Sequence, residues 1–549
     1  MHQRHVVVLG GGISGLSAAY SLLRTAPAGT RITVVEASAR AGGKLRTEEF
    51  AGLPVDTGAD AFLARVPAGV RMARQLGLSD RLISPSTSSA FVYAAGALRP
   101  LPGGTALGVP MDLWPLAKSR LLSPIGMLRA AAEPLLPGRP VDGDMAVGVL
   151  VARRFGSQVR DRLVDPLLGG VYAGHADELS LDATSPATAA AAHTSRSLWR
   201  GLRARRAPKQ SGPVFHSFAG GTSVLVDALV TALIAGGVDL RLATSATGLA
   251  RSAGGWRLRL GDRAGVSATS GELDADAVVI ALPALPASRL LADVVPVVAA
   301  DLAAIDYASV GIVTLAYARG SVPPRQGSGF LVAASERRVI KAGTWTSLKW
   351  PHLAGDLEIV RCSVGRAGES ADLQRDDEDL VAAVHQDLRA IAGFATAPVL
   401  SKVTRWGGAL PQYAVGHVDR VERIERAVAA TPALATCGAA YHTDCGACGV
   451  GCTLPAAATT SCTTGTCKVT TCNPGAGNCN GSDADGCETN TTTSLSHCGG
   501  CGVPCSAPNG TPSCSGSTCS ISSCNAGFGN CNGSVADGCE TDTTTSLAH

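Results

Sequence analysis

Cysteine is nearly absent from the first 444 of the 549 residues, and aromatic and basic side chains are nearly absent from the last 105. Only Cys362 and Cys437 precede Cys445, whereas 16 of the 18 cysteines lie from Cys445 onward. That last part holds one aromatic side chain, Phe528, and one basic side chain, Lys468. Because it can bury little apolar surface, its order must come from cross-links or from metal. The chain therefore combines two parts of different kinds.

Long hydrophobic runs and clustered charge are also missing. No run approaches the ~18 apolar residues that a membrane-spanning helix needs. The formal net charge is only +3 and the arginines are scattered, so we expect no nucleic-acid partner. The apolar stretch at residues 6–9 is too short for a signal-peptide core, so we expect a cytoplasmic protein. The Cys-rich end is inconsistent with that expectation.

The Cys-rich end repeats with a period of 52 residues. The cysteines that recur are Cys467, Cys472, Cys479 and Cys487, which return as Cys519, Cys524, Cys531 and Cys539. An even number of cysteines among Gly, Ser, Thr and Asn predicts an oxidised disulfide array without a metal site. Zinc is the alternative, because Cys445/Cys448 and Cys498/Cys501 are spaced as metal ligands can be. This end resembles Cys-rich repeats of bacterial extracellular proteins, a likeness that implies no activity.

The front of the chain has the pattern of a dinucleotide-binding βαβ unit. A buried parallel strand at 6–9 leads into Gly10-Gly11-Gly12-Ile13-Ser14-Gly15, and a helix follows at 14–23. A second strand at 31–35 ends at Glu36, 21 residues after Gly15. The glycines allow a pyrophosphate to approach the helix N-terminus, and the carboxylate can accept hydrogen bonds from a ribose. Strand, loop, helix, strand and acid in this order predict a Rossmann-type domain.

The next residues carry a resemblance to a known family. Arg40, Gly42-Gly43-Lys44 and Gly58-Ala59-Asp60 resemble the flavoproteins that include amine oxidases, phytoene desaturases and porphyrinogen oxidases. In that family, Arg40 and Gly42-Gly43 lie along the phosphates and ribityl chain of FAD, and the Gly58-Ala59 turn passes the isoalloxazine. The resemblance implies that FAD is bound by Gly10, Gly12, Ile13, Ser14, Gly15, Glu36, Ala37, Arg40, Gly43, Lys44, Gly58, Ala59, Asp60, Ala246 and Trp406.

Within the family, the chain resembles the porphyrinogen oxidases, especially those of actinobacteria. The segments that carry this likeness are residues 62–65, 98–102, 108–110, 164–174, 305–309, 347–351, 363–366 and 406–413. It implies a haem-biosynthesis enzyme that oxidises coproporphyrinogen III to coproporphyrin III by removing six electrons. Hydride passes to N5 of the flavin, and O2 takes the electrons away as H2O2. Protoporphyrinogen IX is the alternative substrate, and an amine oxidase or carotenoid desaturase is the alternative enzyme.

Few substrate residues follow from this resemblance. It implies no obligatory acid or base, because the cofactor carries the difficult step. Arg65, Arg99 and Lys349 are candidates for pairing with substrate propionates. The helical region of such enzymes also implies a peripheral contact with a membrane or with another enzyme of the haem pathway.

The predicted fold class is α/β: a Rossmann-type FAD-binding domain, a mixed-sheet substrate domain with a helical insertion, and C-terminal Cys-rich irregular repeats. FAD-binding segments are expected at 1–65, 206–284 and 401–441, and substrate-domain segments at 66–110 and 285–400. A helical substrate or membrane-facing domain is expected at 111–205, and the Cys-rich repeats at 442–549.

The family resemblance stops after Tyr441. The related enzymes continue there with a turn and an apolar helix that completes the FAD domain, whereas this chain enters the Cys-rich repeat at Cys445. Either the end is a natural fusion, or the reading frame joins two genes. If the missing helix leaves the flavin unbound, the chain is an inactive chimera.

Overall fold

The computed structural model describes residues 3–64, 66–136, 138–206, 212–262 and 271–440, and in the Cys-rich part residues 457–463, 466–472, 475–479, 487 and 489–544. The chain divides into two compact units, with the division close to residue 442. Among the described residues, no helix is both long enough and apolar enough to cross a bilayer.

A five-stranded parallel sheet forms the centre of the first unit. Its strand order is Asp239–Arg241, Arg31–Val35, His5–Leu9, Ala277–Ile280 and Leu434–Thr436. One face packs on the helices Ile13–Thr25 and Ser223–Ala235. The other face packs on an antiparallel sheet made of Thr244–Ser252, Gly255–Asp262 and Gly271–Ala275. Because both faces are covered, the central strands are continuous apolar runs, and the predicted Rossmann-type domain is confirmed.

A seven-stranded mixed sheet forms the second layer of the same unit. Its strand order is Leu400–Pro411, Tyr307–Ala318, Leu357–Val364, Ile340–Trp345, Gly329–Val332, Phe91–Ala94 and Ala97–Pro100. The helix Asp377–Ala392 packs on one face. The hairpin Thr47–Phe50 and Leu53–Asp56 packs against the other through Phe50 and Val55, which contact Ala316 and Ile359. The strand Leu400–Pro411 pairs with Tyr307–Ala318 over most of its length, so the sheet extends to Pro411.

Short helices fill the region between residues 111 and 205. They are Leu113–Ser119, Pro124–Ala131, Glu133–Leu135, Val147–Phe155, Ser157–Val159, Arg160–Val164, Asp165–Tyr172, Leu181–Thr184, Pro186–Thr194 and Leu198–Ala204. The apolar residues that recur every four positions from Val147 to Leu163 are all buried in one cluster. They do not form one regular helix, because Gly156 takes a φ of 96° and ends the first segment.

The remaining elements of the first unit connect these layers. The short strands are Phe62–Leu63, Leu82–Ile83, Thr105–Ala106, Val109–Pro110 and Phe215–Phe218. The helices are Pro67–Gln75, Ser79–Arg81, Ala284–Leu291, Pro296–Ala303, Ala334–Glu336, Thr346–Lys349, Pro351–Leu353, Ala371–Gln374 and His417–Ala429.

The Cys-rich unit consists of paired short strands. They are Ala457–Thr463 with Thr466–Cys472, Ala476–Gly477 with Thr489–Asn490, Gly510–Ser515 with Thr518–Cys524, and Phe528–Gly529 with Thr541–Asp542. The disulfides in the described part are Cys472–Cys487, Cys479–Cys501, Cys498–Cys514, Cys505–Cys519 and Cys524–Cys539. The predicted disulfide array is confirmed there, and zinc at Cys498/Cys501 is excluded because both sulfurs are in disulfides. Cys445 and Cys448 lie outside the described residues.

Candidate functional site

The glycine loop leaves open space in front of a helix N-terminus. A Cβ on Gly10, whose φ is 108°, would lie 2.5 Å from the Ala281 carbonyl oxygen, and one on Gly15 would lie 1.8 Å from the Gly10 oxygen. Both positions therefore require glycine. Gly12 precedes the helix Ile13–Thr25 without capping it through a side chain, and a Cβ on Gly12 would meet no atom of the described residues within 4 Å. The first N–H groups of this helix can thus receive an anion.

Glu36 reaches back to the glycine loop. Its Oε2 accepts a hydrogen bond from the Gly11 N–H at 2.6 Å, and its Oε1 accepts from the Ser38 N–H and Oγ, each at 2.7 Å. The Thr244 N–H donates to the Glu36 carbonyl oxygen at 2.9 Å. This bond places the strand that contains half-buried Ala246 beside the end of the second parallel strand, where Ala37 is exposed.

The segment after Glu36 folds over the same loop. The Gly42 N–H donates to the Gly11 carbonyl oxygen at 2.7 Å, and a Cβ on Gly43 would lie 3.2 Å from the Gly12 Cα. The Arg40 guanidinium donates to the carbonyl oxygens of Ala41 at 3.0 Å and Gly43 at 2.6 Å. Burial lowers the pKa of Arg40. The structure thus brings the two predicted glycine segments together.

Gly58 and Ala59 form a tight turn beside Lys44. A Cβ on Gly58 would lie 1.9 Å from the Lys44 carbonyl oxygen, which also accepts a hydrogen bond from the Ala59 N–H at 3.4 Å. The Trp406 indole N–H donates to the Thr57 carbonyl oxygen at 2.8 Å. These predicted residues therefore meet although they come from three distant parts of the sequence.

Lys44 lies at the same place, and its residue surface is partly exposed. Its ammonium group donates to the Ala409 carbonyl oxygen, and desolvation of this group lowers its pKa. Because no carboxylate of the described residues pairs with it, this ammonium group can meet an anionic or polar group.

Asp60 points from this turn to the mixed-sheet side. Its Oδ2 accepts hydrogen bonds from Lys349 Nζ at 2.8 Å and Trp350 Nε1 at 3.2 Å, and it lies 3.5 Å from Arg361 Nη1. Burial alone would raise the pKa of the Asp60 carboxyl, but Lys349 and Arg361 lower it to about 2. Sequence reasoning missed Trp350 and Arg361. A signal was present, because Arg361 is a charge inside the apolar strand Leu357–Val364.

Of the three substrate candidates, Arg99 and Lys349 lie in the described part of the chain. Arg65 lies outside the described residues. Arg99 lies on the edge strand Ala97–Pro100, six strand intervals from the strand of Trp406, or roughly 29 Å at the usual spacing. Its Nε is buried and has no hydrogen-bond partner in the described part of the chain. Lys349 is paired with Asp60.

Comparison with known proteins agrees with this arrangement. The flavin-containing amine oxidoreductase family matches residues 13–453. Coproporphyrinogen III oxidase of Mycobacterium bovis is 38% identical over 437 residues, which cover 79% of this chain and 93% of that protein. Protoporphyrinogen oxidase of Bos taurus is 30% identical over 482 residues, covering 80% of this chain and 94% of that protein.

A solved structure shares the fold as well. The crystal structure of an Exiguobacterium sp. 255-15 protein assigned to the protoporphyrinogen oxidases has a TM-score of 0.71 and 32% identity, covering 80% of this chain and 95% of that one. The chain belongs to the flavin-containing amine oxidoreductase family, and it is an oxidoreductase with a flavin cofactor. Within that family, the resemblance to the porphyrinogen oxidases is confirmed by these relatives.

Proposed function

We propose that this chain is an FAD-dependent oxidase that converts coproporphyrinogen III to coproporphyrin III in haem biosynthesis. The observation that carries the proposal is the match to coproporphyrinogen III oxidases, which extends over nearly the whole of those proteins. Protoporphyrinogen IX is the second candidate substrate, because a protoporphyrinogen oxidase also matches along most of its length.

The residues of the glycine loop fit an FAD molecule. The open space at Gly12 and the helix N-terminus would receive the pyrophosphate, and Glu36 stands where a ribose diol would be bound. The residues proposed to hold the cofactor are Gly10, Gly12, Ile13, Ser14, Gly15, Glu36, Ala37, Arg40, Gly43, Lys44, Gly58, Ala59, Asp60, Ala246 and Trp406. When bound, the flavin supplies the two-electron acceptor that no amino-acid side chain provides.

The protein then has to position the macrocycle and keep the reaction out of water. Trp406 donates to the carbonyl oxygen of Thr57, and Lys44 donates to the Ala409 carbonyl oxygen beside the same turn. Complete oxidation removes six electrons, so we expect three molecules of H2O2 for each porphyrin if O2 is the acceptor.

The test is an assay of the full chain after incubation with FAD. We expect porphyrin fluorescence to develop fastest with coproporphyrinogen III, with matching O2 uptake. Gly15→Ala is the inactive control, because its Cβ collides with the Gly10 carbonyl oxygen. Faster oxidation of protoporphyrinogen IX would select the second substrate, and oxidation of an amine alone would select the amine oxidases. If the chain takes up no FAD, it is the inactive chimera.

We further propose that the helical region makes a peripheral contact with a lipid bilayer. Trp114, Ile125, Leu128 and Leu135 are about four-fifths exposed, at 79%, 81%, 73% and 83%. Residues 113–135 contain three basic side chains and one carboxylate, the buried Glu133, which suits an anionic membrane surface. The protein should sediment with vesicles of phosphatidylglycerol, and Ile125→Ser should reduce the fraction of protein in the pellet. Val297→Ser, an equally simple change on an exposed helix elsewhere, is the control.

The origin of the Cys-rich unit is open to a direct test. A single long sequencing read of the source DNA across codons 435–450 distinguishes the two explanations. A continuous frame makes the unit a natural fusion, and an interrupted frame makes it the product of a second gene.

A further inference from the structure

Three donors from the mixed-sheet side meet on a single oxygen atom of Asp60. Lys349 ends the short helix Thr346–Lys349, Trp350 follows it, and Arg361 lies on the strand Leu357–Val364. All three reach Oδ2, at 2.8, 3.2 and 3.5 Å respectively. Protein donors, two of them cationic, therefore already occupy Oδ2 of Asp60, so this oxygen is not left to bind a ligand.

Arg361 also contacts the turn that precedes Asp60. Its Nη2 donates to the Gly58 carbonyl oxygen at 2.7 Å, and the side chain is only 7% exposed. Its strand lies between two others, Tyr307–Ala318 and Ile340–Trp345, within the mixed sheet. The guanidinium thus joins an interior strand of the mixed sheet to the backbone of the Gly58-Ala59 turn.

We infer that Asp60, Lys349 and Arg361, here called the Asp60 cluster, hold the Gly58-Ala59 turn in place against the mixed sheet. Lys349 is then a positioning residue and not a ligand of a substrate propionate. The Asp60 carboxylate acts on the sheet side, so the contact proposed above between Asp60 and the cofactor is made by its backbone. This inference rests on the proposed function only where it takes the turn to lie beside the flavin.

The charges make the cluster specific. A buried carboxylate that loses its cation, or a buried cation that loses its carboxylate, is left unpaired in a poorly solvated place. Substituting either partner should therefore loosen both the turn and the segment that carries Lys349, whereas removing both charges together should cost less than the sum.

The chain offers a matched control at the ion pair of Glu48. This carboxylate lies in the hairpin that precedes the Gly58-Ala59 turn. It forms an ion pair with Lys402 at 2.7 Å and so joins the hairpin to the mixed sheet. Lys402 pairs with Thr314, which pairs with Arg361, so the two ion pairs lie in one row across the sheet.

Glu48 also pairs with Arg46, whose carbonyl oxygen accepts from the Thr57 N–H. Lys402→Met is therefore the control, because it removes the connection to the sheet and leaves the pair with Arg46 in place.

Hydrogen exchange followed by mass spectrometry tests the positioning role without any flavin or substrate. Asp60→Asn should speed amide hydrogen exchange by about tenfold or more in two peptides, the one that contains residues 57–61 and the one that contains residues 346–361. Both peptides should change in the same variant. Lys349→Met should do the same, and it should fold because Trp350 and Arg361 still reach Asp60. Lys402→Met should leave the exchange of both peptides unchanged. Unchanged exchange in Asp60→Asn and Lys349→Met would overturn the inference.

Flavin titration and steady-state kinetics distinguish the cluster from a propionate site. We expect Asp60→Asn and Lys349→Met each to raise the flavin Kd by about tenfold, and the double variant to raise it no further. If Lys349→Met instead raises KM for coproporphyrinogen III and leaves the flavin Kd and the exchange unchanged, Lys349 is a propionate ligand and the inference is wrong. A failure of the proposed function would leave the exchange result standing, since that measurement needs no substrate.

Discussion

Trp406 donates its indole N–H to the carbonyl oxygen of Thr57 at 2.8 Å, which joins the edge strand Leu400–Pro411 to the turn that carries Gly58. A Cβ on Gly58 would stand 3.5 Å from the Trp406 ring. The ring thus lies against a turn that has no room for a larger residue. The hydrogen bond to Thr57 can therefore be tested separately from the packing of the ring.

Trp406→Phe should remove the hydrogen bond while it keeps an aromatic ring. Because the Thr57 carbonyl oxygen loses its donor, we expect the free energy of unfolding to fall by about 1–3 kcal/mol. We also expect weaker flavin binding, because the turn loses a fixed point. Chemical denaturation followed by tryptophan fluorescence, with flavin titration, checks both.

The matched control for this change is Trp199→Phe. The Trp199 indole N–H donates to the Met111 carbonyl oxygen at 2.7 Å in the helical region. We expect a similar loss of stability but an unchanged flavin Kd. Equal effects of the two variants on flavin affinity would show that Trp406 acts only through stability.

A substitution at Gly12 should change flavin affinity without changing the stability of the protein. A methyl group at this position meets no atom of the described residues within 4 Å apart from its chain neighbours, so Gly12→Ala should leave the free energy of unfolding within about 0.5 kcal/mol of the parent. The same methyl group occupies the space where a pyrophosphate would lie, so the flavin Kd should rise by about tenfold or more. Isothermal titration with FAD measures the change.

Gly254→Ala is the control for Gly12→Ala. Gly254 lies between two antiparallel strands, and a Cβ there also meets nothing within 4 Å. Both stability and flavin affinity should stay unchanged. An unaltered flavin Kd in Gly12→Ala would mean that the cofactor does not approach this loop.

The sequence allowed the glycine loop to be predicted because its parts are local. Gly10, Gly15 and Glu36 lie within one βαβ unit, and each has a spacing that a single strand and helix impose. The Asp60 cluster could not be predicted in this way. Asp60 and Lys349 are separated by 289 residues, and only the packing of the hairpin on the mixed sheet brings them together. The assignment of Lys349 to a propionate arose from its charge, without knowledge of that packing.

In the helical region, too, the sequence predicted which residues are buried but not where a helix ends. The four-residue spacing from Val147 to Leu163 indicated which side chains are buried, and these residues are indeed in the core. It did not indicate where the helix ends, because the break depends on the backbone conformation of Gly156.

Acid should weaken the protein partly through Asp60. Its folded-state pKa of about 2 lies below the value near 3.9 of an unfolded aspartate, so its contribution to stability is complete above pH ~4 and is lost as the pH falls through ~2. The contribution amounts to roughly 2–3 kcal/mol. Asp60→Asn cannot show this loss.

Denaturant titrations of the parent and of Asp60→Asn at several values between pH 6 and pH 2.5 measure the difference. We expect the two free energies of unfolding to approach each other as the pH falls. A difference that stays constant over the whole range would mean that the Asp60 pKa is not depressed.

Reduction of disulfides should affect the two units differently. The Cys-rich unit contains few apolar side chains, and each disulfide that closes a loop of about 15 residues contributes on the order of 3 kcal/mol. In the first unit, Cys362 is a buried thiol outside any disulfide. Dithiothreitol should therefore open the region around Cys498–Cys514 and Cys524–Cys539 to proteases, and mass spectrometry of the fragments locates the cuts. All six tryptophans precede Cys445, so their fluorescence reports on the first unit alone, and its unfolding midpoint should not move with reductant. A midpoint that falls on reduction would show that the first unit depends on the disulfides of the second.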